Sequence, residues 1–251
     1  MSEKINPLSH LICLKPPKWF KESGWIQHTP FALYLVDLLK PKTIVELGTY
    51  AGTSYCSFCQ AVNELKIDTQ CYAIDTWEGD PHAGNYGPKI FKDLKKHHDP
   101  LYGDFSTLLK KDFDNALNDF ADGSIDLLHI DGYHTFDAVS HDFHSWLPKI
   151  SHSGIILFHD TNVYQDSFGV WKFWQSIRKE YPSFEFFHGS GLGILVTGDS
   201  VPSGILKITT LTGISRKLFV IFFLVLGKIV DLYSKLARFS VLLRMSTSHR
   251  A

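Results

Sequence analysis

Short apolar runs alternate with stretches of helical periodicity along most of this chain, and no other feature limits its fold as strongly. Seven runs predict strands, at residues 43–47, 71–75, 105–110, 125–131, 154–160, 184–188 and 192–197. The stretches between them predict helices, at 30–40, 53–65, 89–98, 114–121, 135–150 and 170–181. Apolar strands joined by helices form mostly parallel sheets with helices on both faces. We therefore expect an α/β fold with a doubly wound, mostly parallel, seven-stranded sheet, completed by an antiparallel terminal hairpin.

The 251 residues divide by composition into three parts. We expect an N-terminal segment and helix over 1–40, the sheet domain over 41–198, and a basic, apolar, helical tail over 199–251. The formal net charge of −1 gives no electrostatic reason to expect a nucleic-acid partner. The N-terminus lacks the pattern of a secretory signal, and four cysteines are few for this length. Both features favour a reducing, cytoplasmic location.

Acidic and histidine side chains stand at the ends of the predicted strands. The first and second strands end near Glu46 and Asp75, and two later strands end at Asp131 and at the pair His159 and Asp160. In an open α/β sheet, ligands collect at the carboxyl ends of the parallel strands. The sequence therefore predicts one site in which these side chains meet.

The loop after the first strand has the spacing E-x-G-x-x-x-G, with Glu46, Gly48 and Gly52. Glycines in a strand-to-helix turn let the backbone approach a ligand closely. The dinucleotide spacing G-x-G-x-x-G is absent, which favours a smaller ligand without a pyrophosphate over NAD. Asp75 follows the next strand, where it can accept hydrogen bonds from ribose hydroxyls. The two features together predict a nucleoside with a charged tail.

Four segments, VELGTYAGTSY, AIDTW, IDLLHIDGYHTFDAVSHDF and LFHDTN, resemble in content and order the class I S-adenosylmethionine-dependent methyltransferases, which have a Rossmann-like fold. The resemblance covers residues 28–198 and is strongest to the branch with macrolide sugar O-methyltransferases and cephalosporin-hydroxylase-like proteins. It implies that S-adenosylmethionine binds at the first loop and the next two strand ends, through Glu46, Gly48, Tyr50, Gly52, Ser54, Asp75, Trp77 and Asp112.

The same resemblance implies a divalent cation held by Asp131, His159 and Asp160. Magnesium or manganese is expected, although an imidazole ligand leaves iron or zinc open. A cation lowers the pKa of a hydroxyl and aligns the oxygen with the methyl donor. His134 can act as the general base, because the reference pKa of histidine is roughly 6.5. Asp131 and His134 are thus the expected catalytic residues.

The resemblance implies an O-methyltransferase acting on a small-molecule or glycan acceptor, with a hydroxyl of a sugar or glycoconjugate as the target. Aromatic residues near the predicted site, among them Trp77, Tyr86 and Phe168, offer flat faces for such an acceptor. Two alternatives stay open. One is a metal-dependent hydroxylase on the same fold, and the other is a non-catalytic, membrane-associated binding module.

The tail has an apolar run at 218–226 between Lys217 and Lys228, and basic residues predominate over 216–244. A membrane-spanning helix needs about 20 apolar residues, so this run does not predict one. A basic, apolar helix is attracted to an anionic membrane surface. We therefore expect either membrane-surface contact through 216–244, or packing on the sheet domain or on a second subunit in a homo-oligomer.

Overall fold

The computed structural model describes residues 5–21, 23–82, 84–165 and 167–248, with side chains described up to residue 239. Seven strands form one sheet: β1 Thr43–Leu47, β2 Gln70–Asp75, β3 Ser106–Lys110, β4 Ile125–Ile130, β5 Ile150–His159, β6 Ser183–Phe186 and β7 Leu192–Val196. Their order is β3-β2-β1-β4-β5-β7-β6. Strands β1 to β5 run parallel, and β7 is antiparallel to both β5 and β6. The predicted fold class is confirmed.

Eight α-helices surround the sheet in the described part of the chain. They are α1 Thr29–Leu39, α2 Thr53–Leu65, α3 Pro88–Tyr102, α4 Phe113–Ala116, α5 Phe136–Trp146, α6 Val170–Ile177, α7 Ser203–Thr209 and α8 Gly213–Ser248. The predicted helix over 135–150 ends early, because residues Leu147–Lys149, which include Pro148, form a 3-10 turn. Strand β5 accordingly begins at Ile150, four residues before the predicted start. The predicted loop over 76–88 contains a small hairpin that pairs Gly79–Asp80 with Gly84–Asn85.

The sheet separates two apolar cores. One core contains side chains of α1 and α2 together with Phe219 and Phe223 of α8. The other contains side chains of α5 and α6, among them Trp146 and Trp174. Because both faces of the sheet are covered, strands β1, β4 and β7 are buried along most of their length, as their continuous apolar sequences predict, whereas the edge strand β3 has one buried residue of five.

The strand register brings the predicted site residues to one level. Leu47, the last residue of β1, pairs with Ile74 on one side and with Ile130 on the other. Ile130 in turn pairs with Phe158 of β5. Asp75, Asp131 and His159 each follow one of these paired residues, so the three lie along one edge of the sheet.

Helix α8 has 36 residues and is therefore about 54 Å long at 1.5 Å per residue. Its buried Phe219 and Phe223 pack against Phe31 of α1, and Gly227 lies against the carbonyl group of Gln27. Among the described residues, no helix is both long enough and apolar enough to cross a membrane. The predicted division of the chain at residues 40 and 198 stays a prediction.

Candidate active site

A cavity of about 500 Å³ opens at the carboxyl edge of the sheet. It is lined by the loop after β1, the ends of β2, β4 and β5, the N-terminal segment at Ser23 and Gly24, and the hairpin residue Ser190. Five aspartates line it: Asp75, Asp80, Asp112, Asp131 and Asp160. No described residue of its wall is a lysine or an arginine. The wall therefore carries many hydrogen-bond acceptors, and its only cationic groups are histidines.

The loop after β1 is built from residues with positive φ angles: Gly48 at +86°, Tyr50 at +48° and Gly52 at +78°. A Cβ atom on Gly48 would overlap the carbonyl oxygen of Asp131, and one on Gly52 would overlap the side chain of Leu94. Gly48 meets fixed backbone and leaves no room for a side chain, whereas at Gly52 the positive φ favours glycine and the neighbour is a leucine side chain that can shift. Gly48 lets the loop after β1 lie directly against the end of β4.

Asp75 fastens this loop to the end of β2. Its Oδ2 accepts hydrogen bonds from the backbone N–H groups of Thr49 at 3.0 Å and Tyr50 at 2.8 Å. Its Oδ1 accepts one from the backbone N–H of Trp77 at 2.6 Å. Burial raises the pKa of the Asp75 carboxyl, and the three N–H groups oppose that rise. Asp75 thus shapes the loop after β1 and also lines the cavity.

Glu46 lies beneath the loop and does not line the cavity. Its fully buried carboxylate is 2.8 Å from Nδ1 of His129, and Nε2 of His129 accepts a hydrogen bond from the indole N–H of Trp25 at 3.2 Å. An indole N–H only donates, so the proton of His129 is on Nδ1 and is donated to Glu46. Burial raises the pKa of Glu46, and the contact with His129 opposes the rise.

The eight residues predicted to bind the cofactor fall into two groups, those that line the cavity and those that lie behind its wall. Gly48, Tyr50, Ser54, Asp75 and Asp112 line the cavity, whereas Glu46, Gly52 and Trp77 support its wall from behind. Trp77 is buried and donates its indole N–H to the carbonyl oxygen of Tyr50 at 2.8 Å. Asp112 also caps α4, because it accepts a hydrogen bond from the backbone N–H of Asn115 at 2.8 Å.

Three side chains at the ends of β4 and β5 can hold a metal ion. One ligand atom each from Asp131, His134 and Asp160 lies within 4.8 Å of the others. Nε2 of His134 is 2.9 Å from Oδ2 of Asp160 and 3.7 Å from Oδ1 of Asp131. Asp160 has a φ angle of +59°, which a non-glycine residue rarely adopts. This left-handed turn ends strand geometry at β5, so that both His159 and Asp160 face Asp131.

His159 occupies a different position from the one expected of a metal ligand. Its Nδ1 lies 3.2 Å from Oδ1 of Asp131, and its Nε2 lies 3.0 Å from the carbonyl oxygen of Gly189. Both ring nitrogens thus face acceptors, as in an imidazolium. Burial alone would lower the pKa of His159, but Asp160 and Asp131 raise it well above its ordinary value. The ligand atoms that lie close enough to share one ion thus belong to Asp131, His134 and Asp160, and metal ligation by His159 stays a prediction.

The carboxylates and imidazoles of the cluster hold one another in charged form. Despite burial, His159 and His134 hold the pKa values of Asp131 and Asp160 well below the ordinary range. Burial by itself would lower the pKa of His134. The carboxylates of Asp131 and Asp160 outweigh the effect of burial and raise this pKa to about 9. His134 is therefore protonated at neutral pH when no cation is bound. Its pKa is higher than the reference value of roughly 6.5 from which its role as a general base was predicted.

Two loops meet over His134. The ring of Phe168 stacks on His134 with centroids 4.8 Å apart and on His82 at 4.7 Å. Of the aromatic residues expected to face an acceptor, Tyr86 lines the cavity, Phe168 covers His134 and Trp77 is buried. Tyr164 is 63% exposed, and its ring contacts that of Trp171 at a tilted angle of 53°.

Several residues of the cavity wall were not predicted from the sequence. Thr49 and Thr53 lie within the quoted loop motif and could have been inferred from it. Tyr133 lies between the predicted residues Asp131 and His134, and Asp80 lies in the predicted loop over 76–88. Ser23, Gly24 and Ser190 have no local signal, because a contact between the N-terminal segment and the hairpin brings them to the cavity.

Comparisons with known proteins agree with this fold. Residues 45–161 match the family model described as a methyltransferase domain. A curated relative, protein y4gI of Sinorhizobium fredii, is 44% identical over 205 residues, which are 81% of this chain and 22% of that protein. The chain thus spans about a fifth of the length of that relative.

Solved structures share the fold at low sequence identity. A Staphylococcus aureus protein, provisionally named a caffeoyl-CoA O-methyltransferase, has a TM-score of 0.54 at 14% identity, over 73% of this chain and 86% of that one. The Podospora anserina methyltransferase PaMTH1, solved with S-adenosylhomocysteine, has a TM-score of 0.52 at 17% identity, over 68% of this chain and 78% of that one. The stretch that matches the family model, 45–161, contains the loop after β1, Asp75 and the cluster of Asp131, His134 and Asp160.

Proposed function

We propose that this chain, which carries a class I S-adenosylmethionine-dependent methyltransferase domain, methylates a hydroxyl oxygen of a sugar or glycoconjugate with the help of a divalent cation. One observation supports this above all others. A single cavity contains both the loop after β1 and the cluster of Asp131, His134 and Asp160. Methyl transfer needs such adjacency, because the acceptor oxygen must be held close to the methyl group and in line with it.

The loop half of the cavity suits S-adenosylmethionine. The hydroxyl Oγ1 of Thr49, a residue of the cavity wall, is buried and has no hydrogen-bond partner within the described residues. A buried hydroxyl of this kind is normally satisfied by a ligand or by water. Oδ1 of Asp75 accepts one backbone N–H group and still has a lone pair for a ribose hydroxyl, whereas Oδ2 already accepts two. When bound, S-adenosylmethionine supplies the electrophilic methyl group.

The other half suits a divalent cation. Asp131 and Asp160 stay ionised at neutral pH, and His134 adds one nitrogen. Two carboxylates and one imidazole suit magnesium or manganese, with iron and zinc still open. A cation bound there would lower the pKa of an acceptor hydroxyl and offset the charge of the two carboxylates.

His134 is the residue that we propose to bind the cation or to accept the hydroxyl proton. The two carboxylates keep its ring protonated, and an added positive charge would cancel their attraction. The ring would then lose its proton and become able to act as a base. Phe168 restricts the rotation of the ring by stacking on it. His159 holds Asp131 in position from behind, through its contact with the carbonyl oxygen of Gly189.

The composition of the wall favours a neutral acceptor. A phosphate or carboxylate group on the acceptor would meet aspartates and find no described lysine or arginine in the wall. Tyr50, Tyr86 and Tyr133 line the cavity and offer flat faces with polar tips. Such faces suit a sugar ring, which presents C–H groups on one side and hydroxyls around its edge.

A metal-dependent hydroxylase is the rival reaction. Non-haem iron oxygenases typically use two histidines and one carboxylate. The second histidine here, His159, has both ring nitrogens directed at protein acceptors, so the cluster offers one imidazole and two carboxylates. The donor set thus supports methyl transfer over hydroxylation.

The test is calorimetric titration of the full chain with S-adenosylhomocysteine, with and without a chelator. Methyl transfer from labelled S-adenosylmethionine to a panel of neutral glycosides and their phosphorylated counterparts follows, with magnesium or manganese. We expect saturable cofactor binding and cation-dependent transfer to a neutral acceptor. The variant Asp131→Asn should lose transfer, whereas Asp122→Asn, on an exposed carboxylate paired with Lys149, should keep it.

Each failure has a separate meaning. Absence of cofactor binding would contradict the methyltransferase proposal, and turnover that needs oxygen and a co-substrate would favour the hydroxylase. Transfer that is unaffected by chelator would contradict the role of the cation. Cofactor binding combined with full cellular function of Asp131→Asn would favour the non-catalytic binding module.

We propose that the protein is cytoplasmic and that its tail contacts a membrane surface through residues 216–244. Within this range, side chains are described up to residue 239. A homo-oligomer that uses the same helix is the competing association. Both concern α8, none of whose described residues lines the cavity, and so both can be tested independently of methyl transfer.

A further inference from the structure

The outer face of α8 carries an exposed apolar stripe. Its side chains are between 50% and 77% exposed: Ile214, Leu218, Ile221, Val225, Ile229, Leu232, Leu236 and Phe239. They follow one another at intervals of three or four residues, which keeps them on one side of a helix with 3.6 residues per turn. The stripe runs for about 38 Å at 1.5 Å per residue. An exposed apolar surface of this length marks an interaction site.

The stripe is not needed to hold α8 on the protein. The opposite side of the helix contains the buried residues Phe219, Phe223, Val230 and Ser234. Phe219 and Phe223 contact the ring of Phe31, and Gly227 lies against Gln27. Helix α8 thus already has a packed inner face, and the stripe forms a second apolar face directed away from the domain.

The N-terminal segment extends this second face. Leu8 is 53% exposed, and it lines a groove of about 830 Å³ together with Ile214, Leu218 and Ile221. Leu8 therefore belongs to the same apolar surface as the start of the stripe. Two elements from opposite ends of the described chain contribute to one continuous surface, which we call the outer apolar surface.

Lysines accompany the stripe along one edge. Lys217, Lys228 and Lys235 are exposed and stand 11 and 7 residues apart, close to three and two full helical turns. They therefore form a line parallel to the stripe. Asp231 is the one acidic residue in the sequence of α8, and it pairs with Lys235 at 2.8 Å. Apolar side chains edged by lysines complement a surface that is apolar inside and negatively charged at its boundary.

We propose that the outer apolar surface docks on a membrane that contains anionic lipid, with α8 lying along the plane of the interface. This inference extends the proposed tail contact and does not depend on the methyl-transfer chemistry. In an antiparallel dimer of α8 helices the lysine edges would face each other, and no acidic edge is available to pair with them. An anionic lipid surface accepts both the stripe and the lysines, and each lysine near such a surface adds to the attraction.

The experiment is co-sedimentation of the full chain with vesicles of phosphatidylcholine alone and of phosphatidylcholine with one quarter phosphatidylglycerol. We expect binding to the anionic vesicles that weakens with added salt. The double variant V225Q/L232Q should bind at least about tenfold more weakly, because two exposed apolar side chains are lost from the surface. The matched control L101Q replaces a leucine that is 43% exposed on α3 and should bind as the native chain does.

A second variant, K217E/K228E, tests the charge. It should lose most of the preference for anionic vesicles while keeping its thermal unfolding temperature, since both lysines are exposed. Equal binding of V225Q/L232Q and native chain would overturn the inference. Absence of vesicle binding, with a dimer in sedimentation equilibrium that V225Q/L232Q dissociates, would also overturn it and assign the surface to a second copy. Cofactor binding, measured in parallel, reports separately on the methyltransferase proposal.

Discussion

The two halves of the cavity use buried carboxylates in opposite ways. In the loop half, Asp75 is surrounded by backbone N–H groups, which carry no titratable proton. In the other half, Asp131 and Asp160 face imidazoles, which a cation can replace as partners of the carboxylates. The loop half is therefore fixed by chain geometry. The cluster half is held by charges that depend on pH, and these charges would also respond to the proposed cation.

The substitution with the largest expected effect is Gly48→Ala in the loop half. The added methyl group would overlap the Asp131 carbonyl oxygen, at a φ of +86° that alanine disfavours. We expect cofactor binding to fall below detection and the free energy of unfolding to drop by about 1–3 kcal/mol or more. Calorimetry with S-adenosylhomocysteine and thermal unfolding measure both.

The matched control for Gly48 is Gly87→Ala. Gly87 has a φ of −80°, and a Cβ atom there would contact nothing within 4 Å. Its unfolding temperature and cofactor affinity should stay close to those of the native chain. Equal behaviour of the two variants would contradict the close approach of the β1 loop to the end of β4.

The variant Asp160→Asn should affect the cluster half alone. It removes one of two carboxylates, so we expect manganese affinity to fall by about a hundredfold or more while cofactor affinity changes little. Titration with manganese measures the first, and titration with S-adenosylhomocysteine the second. Asp119→Asn is the control, since Asp119 pairs at the surface with Lys111. Unchanged manganese affinity in Asp160→Asn would remove the cluster as a metal site.

Cation binding should strengthen with rising pH. His134 has a pKa raised to about 9, so a cation that uses its nitrogen must displace a proton at neutral pH. The apparent affinity should therefore increase about tenfold per pH unit between pH 6 and 8, and should level off above pH 9. Manganese titration across this range measures the slope. The variant His134→Gln should flatten it, and a flat profile in the native chain would contradict the displacement.

Asp75→Asn should give the smallest effect. The amide keeps an oxygen for some of the three backbone N–H groups, but its NH₂ group repels the others. We expect a loss of about 1–2 kcal/mol in stability and a roughly tenfold loss of cofactor affinity, with manganese affinity unchanged. Chemical unfolding and the two titrations measure these. A parallel loss of manganese affinity would mean that the two halves of the cavity are not independent.

Local sequence patterns predicted most of the fold and the approximate position of the site. The strand bounds at 43–47 and the loop spacing around Gly48 followed from apolar runs and glycine positions alone. The different positions of His134 and His159 relative to Asp131 and Asp160 did not follow from these patterns. Adjacent residues on a strand point to opposite faces, and only the left-handed φ of Asp160 reveals where that alternation ends.

Long-range contacts account for the remaining differences. The pKa of His134 depends on two carboxylates from separate strand ends, so a reference value could not anticipate it. Ser23, Gly24 and Ser190 reach the cavity only after the N-terminal segment has met the terminal hairpin. The tail sequence predicted a basic, apolar helix, but the separation of its inner and outer faces required knowledge of what lies beneath it.

The carbonyl group of Gly189 has a consequence for the order in which the molecule is assembled. It is 3.0 Å from Nε2 of His28 and 3.0 Å from Nε2 of His159, so it joins segments that are 161 and 30 residues away along the chain. Contacts between such distant segments form at a large cost in chain entropy. During synthesis, a chain that has not yet reached Gly189 contains every proposed cation ligand but lacks this anchor for His159. We therefore expect the site to be completed late in folding, when the terminal hairpin joins the sheet.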